Sequence, residues 1–380
     1  MPWSLNCSVC TYTKPDGAAL ASLCPDCSQP LLVRYAAPVR RDAITNESSL
    51  WRYAAALPMQ AGETRVSLGE GMTPLIELPH LAREIGVRRL WVKDEGINPT
   101  ASFKARGLMM AVTRAKALGI PGVCVPTAGN AGIALAAYAA AAAMPCTIFA
   151  PETTPPPILG SIRAFGATLE LVAGHIGDAG KATMAFATES GHFNVATVRE
   201  PYRVEGMKTM GYEVAEQLGW RLPDAIVFPT GGGEGTIGIW KAINEMLEWG
   251  WLPSDTATPR MVIAQAEGCA PLVRAFREGA EQATPWADPS THASGLRVPG
   301  PLGGRLTLRV LRESGGEAEA VSEDAIRSGT FMLASRSGID AAPEGGAAFE
   351  ATRQLVAAGR LRADAEVVVF NTGSGASYRW

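Results

Sequence analysis

Residues 225–240 read AIVFPTGGGEGTIGIW. Ala225–Pro229 is a short apolar run of strand length, ended by the turn Gly231-Gly232-Gly233-Glu234-Gly235-Thr236, and a helical pattern follows over Ile237–Trp249. Strand, glycine turn and helix in that order open a βαβ unit. A glycine run entering a helix also exposes backbone N–H groups to an anion, and the helix dipole adds to the attraction. One such loop is a weak signal, and its weight comes from its company.

From about Gly62 onward the same alternation recurs. Strand-like runs at Leu90–Lys93, Val123–Pro126, Thr147–Ala150, Thr168–Val172, Val262–Ala266 and Val367–Phe370 lie among helical patterns at Leu108–Leu118, Gly132–Met144, Gly206–Leu218 and Gly346–Ala358. Short strands separated by longer helices predict an α/β chain with parallel sheets covered on both faces. Pro155-Pro156-Pro157 marks a loop before a helix, and no internal repeat is visible.

The totals agree with an enzyme-sized globular protein. The chain has 380 residues, enough for two domains, and an apolar fraction of 47% that disfavours disorder. A net charge of -3 gives no reason to expect nucleic-acid binding or a polybasic membrane patch. The start, Met1-Pro2-Trp3-Ser4-Leu5-Asn6-Cys7, has no basic segment followed by an apolar run. The Ala-rich run from Ala131 to Met144 is too short to span a bilayer and reads as a core helix. Cys124, Cys146 and Cys269 read as buried free thiols, which fits a cytoplasmic location.

Residues 1–60 differ from the rest, with several prolines and little periodicity. Cys7-x-x-Cys10 and Cys24-x-x-Cys27 stand thirteen residues apart. Four thiolates can close a tetrahedral zinc site, and paired Cys-x-x-Cys knuckles build one. A flap with almost no apolar core of its own would need that staple. A closed site leaves no position for substrate, so Cys7, Cys10, Cys24 and Cys27 are expected to hold a structural zinc; an extension that has lost its metal, or plain surface thiols, are the alternatives.

Three more turns follow strands as the Gly231 loop does. They are Asn98-Pro99-Thr100-Ala101-Ser102-Phe103-Lys104-Ala105-Arg106-Gly107, Thr127-Ala128-Gly129-Asn130-Ala131-Gly132 and Asn371-Thr372-Gly373-Ser374-Gly375. Ligands of open α/β sheets bind beyond the carboxyl ends of strands, so four special turns there point to one site. Taken alone, Lys104 would be a solvated surface charge; in this company it becomes a candidate for chemistry.

These motifs resemble the fold-type II pyridoxal-phosphate enzymes, the tryptophan synthase β family, and within them the threonine synthases. The resemblance runs from Gly69-Glu70-Gly71-Met72-Thr73-Pro74-Leu75 to the C-terminus, and the Cys-x-x-Cys extension recurs in some threonine synthases. It implies two parallel-sheet domains. The large cofactor-binding one comprises residues 61–105 and 220–380, the small α/β one residues 106–219, and the zinc-ribbon-like extension residues 1–60. It implies pyridoxal 5'-phosphate joined as a Schiff base to Lys104, with Phe103 beside it. Asn130 would bond the cofactor's phenolic oxygen, and Thr372 would face its ring nitrogen. Gly231, Gly232, Gly233, Gly235 and Thr236 would cradle its phosphate. Thr127, Ala128, Gly129 and Asn130 would grip the carboxylate of a small amino-acid substrate. A homodimer is implied by the same analogy.

For the reaction, the resemblance implies conversion of O-phosphohomoserine and water to threonine and phosphate. The substrate's phosphate would need a cation, and Arg203 in Tyr202-Arg203-Val204-Glu205-Gly206 matches the family's arginine, with Arg199 and Lys208 nearby. Position 105 is alanine where many threonine synthases carry aspartate. Ser-Phe-Lys-x-Arg-Gly is also the pattern of threonine and serine dehydratases. A dehydratase or another β-replacing lyase is therefore the alternative, and a non-catalytic relative a third reading. Glu234 should point away from a bound phosphate, since two unpaired anions in contact are costly.

Overall fold

The computed structural model describes residues 3–17 and 20–379. In chain order its strands are β1 (Trp3–Cys7), β2 (Thr13–Lys14), β3 (Leu31–Tyr35), β4 (Leu75–Glu77), β5 (Arg89–Asp94), β6 (Val123–Pro126), β7 (Cys146–Pro151), β8 (Thr168–Val172), β9 (Phe193–Asn194), β10 (Ala225–Pro229), β11 (Arg260–Ala266), β12 (Glu317–Val321) and β13 (Glu366–Asn371). The helices are α1 (Pro79–Ile85), α2 (Lys104–Ala117), α3 (Asn130–Ala141), α4 (Pro156–Ala164), α5 (Ile176–Ser190), α6 (Tyr202–Gln217), α7 (Glu234–Glu248), α8 (Pro271–Arg277), α9 (Gly304–Glu313), α10 (Glu323–Ser337) and α11 (Pro343–Ala357). No helix among the described residues is long and apolar enough to cross a membrane.

The chain divides into two compact units, Met1–Gly71 with Asn98–Thr209 and Met72–Ile97 with Met210–Trp380. The first holds a four-stranded parallel sheet in the order β8-β7-β6-β9 and the three-stranded antiparallel sheet β2-β1-β3. The second holds a six-stranded sheet in the order β12-β11-β10-β13-β5-β4, parallel except for the edge pair β4–β5. All five residues of β10 are buried, as a central parallel strand covered on both faces requires.

The division differs from the domain boundaries implied by the family. Residues 61–71 and 98–105 group with the small parallel sheet, as does the N-terminal extension, and residues 210–219 group with the six-stranded sheet. The expectation of a flap without a core is also corrected. Trp3, Leu5, Leu31 and Val33 alternate along β1 and β3 and are at most 2% exposed. They join the same apolar cluster as Leu108, Met109 and Val112 of α2. The extension thus shares one apolar core with α2, and its cysteines need not hold it alone.

Candidate active site

Within the first unit, the chain reaches Lys104 through a strained turn. Thr100 and Ala101 are consecutive non-glycine residues at φ 64° and 55°. Each costs on the order of 1 kcal/mol, and such strain persists where packing over-determines it, often at functional sites. The turn packs against α3. Thr100 Oγ1, Ser102 Oγ and Asn130 Oδ1 are buried and have no hydrogen-bond partner among the described residues. Buried polar atoms without partners are costly, so two of them in this turn and a third at the start of α3 fit the reception of a polar ligand. Lys104 is half-buried at the first residue of α2, its Nζ 4.4 Å from the centre of the Phe103 ring.

Asn130 opens α3 in the same way. Thr127 Oγ1 stitches the preceding turn by accepting from Gly129 N at 3.1 Å and Gly132 N at 3.2 Å and donating to the Gly129 carbonyl at 3.1 Å. Ala128, Gly129 and Asn130 stay half-buried at the positive end of the helix dipole.

Helices α2 and α6 meet backbone to backbone. A Cβ on Gly107 would stand 3.0 Å from the Arg203 carbonyl oxygen, and one on Gly206 would fall inside contact with the Arg106 carbonyl. The Arg203 backbone therefore lies against the first turn of α2. Its side chain has no exposed surface, and Nη1 donates to the Val195 carbonyl at 2.7 Å. A substrate phosphate would reach that guanidinium only if the residues that enclose it moved aside. Lys208 is enclosed and paired with Glu205 at 2.7 Å, whereas Arg199 is half-buried, which lowers its pKa.

Within the second unit, β10 delivers the glycine loop to the N-terminus of α7. Gly231 and Gly235 are fixed by their neighbours: a Cβ would run into the Gly295 carbonyl and the Phe228 ring respectively. Gly233 takes φ 93° as it enters the helix. Gly232 is the half-buried member, the one open to a ligand. Thr236 is turned inward, its Oγ1 2.8 Å from Thr230 Oγ1, which itself donates to the Phe228 carbonyl at 3.0 Å. Its proton thus goes to Thr230. Glu234, the first residue of α7, is 2% exposed.

Thr372 follows β13 and is 5% exposed. Asn371 before it donates to Asp94 Oδ1 at 2.8 Å and accepts from Ala342 N at 3.2 Å, which fixes the strand end. Burial raises the Asp94 pKa, and the Asn371 bond only partly offsets it. A buttress invisible in the sequence stands behind the glycine loop. Glu344 Oε1 accepts from Gly295 N and from Tyr378 Oη, both at 2.7 Å. Burial raises this carboxyl above its ordinary value. Gly295 is the residue whose carbonyl forbids a side chain at position 231.

The four N-terminal cysteines converge. Their sulfurs lie within 4.8 Å of one another, Cys7 to Cys27 at 3.4 Å and Cys10 to both Cys24 and Cys27 at 3.6 Å. A zinc tetrathiolate has edges of about 3.8 Å, so the set can hold zinc. Val9 N and Cys10 N both donate to Cys7 Sγ at 3.4 Å. Burial opposes ionisation of Cys7, but those donors and the neighbouring thiols bring its pKa down to about 7.

Comparison with known proteins agrees with this chemistry. A family model described as pyridoxal-phosphate dependent enzyme matches residues 66–373. Threonine synthase of Methanocaldococcus jannaschii is 34% identical over 332 residues, 87% of this chain and 80% of the relative. That of Methanosarcina acetivorans is 36% identical over 86% of this chain and 79% of the relative. The Synechocystis threonine synthase, 31% identical, covers 96% of this chain and 89% of the relative. Among solved structures, maize serine racemase superposes with a TM-score of 0.70 at 20% identity, over 80% of this chain and 88% of that one. A likeness that distant concerns the fold alone. The chain therefore belongs to the pyridoxal-phosphate-dependent enzymes, and among them to the threonine synthase family.

Proposed function

We propose that the protein converts O-phosphohomoserine and water to threonine and inorganic phosphate, with pyridoxal phosphate carried on Lys104. Likeness to threonine synthases over 86–96% of the chain carries the choice of substrate. The strained turn at Thr100–Ala101 and the partnerless atoms of Thr100, Ser102 and Asn130 support Lys104 as the attachment point.

When bound, the cofactor supplies an electron sink for the substrate's α-carbon. The chain's own residues do the rest. Lys104 Nζ would move the proton at the substrate's α-carbon. Backbone N–H groups of Gly231–Gly235, with the α7 dipole, hold the cofactor phosphate. The Asn130 side chain would bond the phenolic oxygen, and the Thr372 hydroxyl would be a neutral partner for the ring nitrogen. The turn Thr127–Asn130 grips the substrate carboxylate. Arg203 pairs with the substrate phosphate; its place against the first turn of α2, which opens at Lys104, supports this role. The family analogy extends to a homodimer, which sedimentation of the purified protein checks.

The test is a parallel assay with O-phosphohomoserine, L-threonine and L-serine. Phosphate release matched by threonine supports the proposal. Ammonia from threonine or serine, with no phosphate released from phosphohomoserine, moves the protein to the dehydratases.

A further inference from the structure

The loop between the two cysteine pairs touches the segment that precedes and opens α6. Ser22 Oγ donates to the Arg199 carbonyl at 3.0 Å, and Tyr202 Oη donates to the Gly17 carbonyl at 3.1 Å. Tyr35, at the end of β3, adds a third hold: its hydroxyl lies 2.7 Å from Glu205 Oε2 and accepts from Lys208 Nζ at 3.3 Å. The Arg114 guanidinium is sandwiched near Trp3 of β1 at 5.4 Å and Tyr202 at 5.5 Å. Of the residues held, 202, 205 and 208 are three apart and so line one side of the first turns of α6, and 199 lies in the turn just before it. Another side, at Gly206 and the Arg203 carbonyl, is pressed on α2. Arg203 sits in the segment clamped between these two supports.

We propose that the four-cysteine extension is a positioning element for binding of the substrate phosphate, holding residues 199–208 through Gly17, Ser22 and Tyr35. This rests on the reading of Arg203 as the phosphate's cation. Gly17 and Ser22 both lie between Cys10 and Cys24, so a metal on the four sulfurs fixes both ends of the loop that carries them. Loss of those restraints frees the backbone around Arg203, and the entropy of ordering it is then charged to substrate binding. No residue of the extension touches the reacting atoms in this scheme; its effect falls on affinity for the phosphate and leaves the chemical step alone.

Ser22→Ala and Tyr35→Phe in the holoenzyme test it. Each should raise KM for O-phosphohomoserine and the inhibition constant of inorganic phosphate together, by about fivefold per lost hydrogen bond. The kcat and cofactor affinity should stay as in the wild type, and amide exchange over residues 199–208 should quicken. Ser22 is exposed and loses a single bond, so its variant stays informative even if Tyr35→Phe folds poorly. Unchanged KM and phosphate inhibition in Ser22→Ala, or a fall in kcat without a rise in KM, overturns the proposal. Arg203→Ala is the control. If it raises KM while Ser22→Ala and Tyr35→Phe do not, only the positioning role fails. If Arg203→Ala leaves KM untouched, the reading of Arg203 fails and the positioning role with it.

Discussion

Gly231→Ala probes the glycine loop directly. A Cβ at this position falls well inside contact with the Gly295 carbonyl oxygen and 2.9 Å from Val298 Cγ2. Gly295 cannot retreat easily, because its N–H is bound to Glu344 Oε1 at 2.7 Å and its own α-carbon faces that carboxyl. The loop must therefore open by about 1 Å to restore ordinary van der Waals separation. A shift of that size takes an N–H···O bond out of hydrogen-bonding range. If one or two charge-assisted bonds to the cofactor phosphate are lost, at roughly 1.5–3 kcal/mol each, affinity for pyridoxal phosphate falls by about a hundredfold. Titrating the cofactor-stripped protein with pyridoxal phosphate, followed by the visible absorbance of the lysine-linked form, measures it. A wild-type dissociation constant in Gly231→Ala would refute the assignment of the phosphate to this loop.

Gly206→Ala puts a methyl group against the Arg106 backbone and should cost about 3 kcal/mol of stability, whereas Gly160→Ala, in the middle of α4 with open space around it, should add about 0.5–1 kcal/mol; urea unfolding of both variants checks the contrast. Burial raises the Glu344 pKa, so the folded protein binds that proton more tightly than the unfolded chain does. Stability from this group is then present below the ordinary carboxylate range and lost as pH rises through the raised value. Glu344→Gln should gain on the wild type above that window and not below it, and an offset equal at all pH values in denaturation curves would refute this. Replacing Cys7 and Cys10 by serine should abolish binding of about one zinc per chain in elemental analysis and lower Tm; a double variant that keeps its zinc contradicts the four-sulfur site.

The sequence shows the sheets more clearly than the helix starts. Val123–Pro126, Thr168–Val172 and Ala225–Pro229 are strands with the bounds expected, because short apolar or β-branched runs flanked by breakers leave little choice. The helices expected from Leu108, Gly132, Gly206, Ile237 and Gly346 begin two to four residues earlier, at Lys104, Asn130, Tyr202, Glu234 and Pro343. Four of those starts carry glycine, asparagine or proline (Gly107, Asn130, Gly235 and Pro343), where helix propensity is low. Strand β12, EAEAV, escaped notice because its glutamates resemble a solvated helix; Glu317 and Glu319 instead pair with Arg260, Arg277 and Arg360.

The candidate site was legible as motifs and not as contacts. Lys104, Asn130 and the glycine loop each announce themselves by glycine, asparagine or lysine at a strand-to-helix turn. The enclosure of Arg203, the inward Thr236 and the Glu344–Gly295 buttress depend on side chains far apart in the chain, for which no spacing gives a signal. The buried face of the extension did have a signal, the period of two in Trp3, Leu5 and in Leu31, Val33. It is faint because each strand offers only two such positions.

The attachment of pyridoxal phosphate to Lys104 is the claim on which the rest depends. Borohydride reduction of the holoenzyme, followed by proteolysis and mass mapping, tests it in one step, since reduction makes the lysine–cofactor bond permanent. The account predicts a single pyridoxyl-modified peptide containing Ser102-Phe103-Lys104, and a Lys104→Ala variant with no such peptide and no visible cofactor absorbance. A pyridoxyl group on any other lysine of the wild-type protein would contradict it.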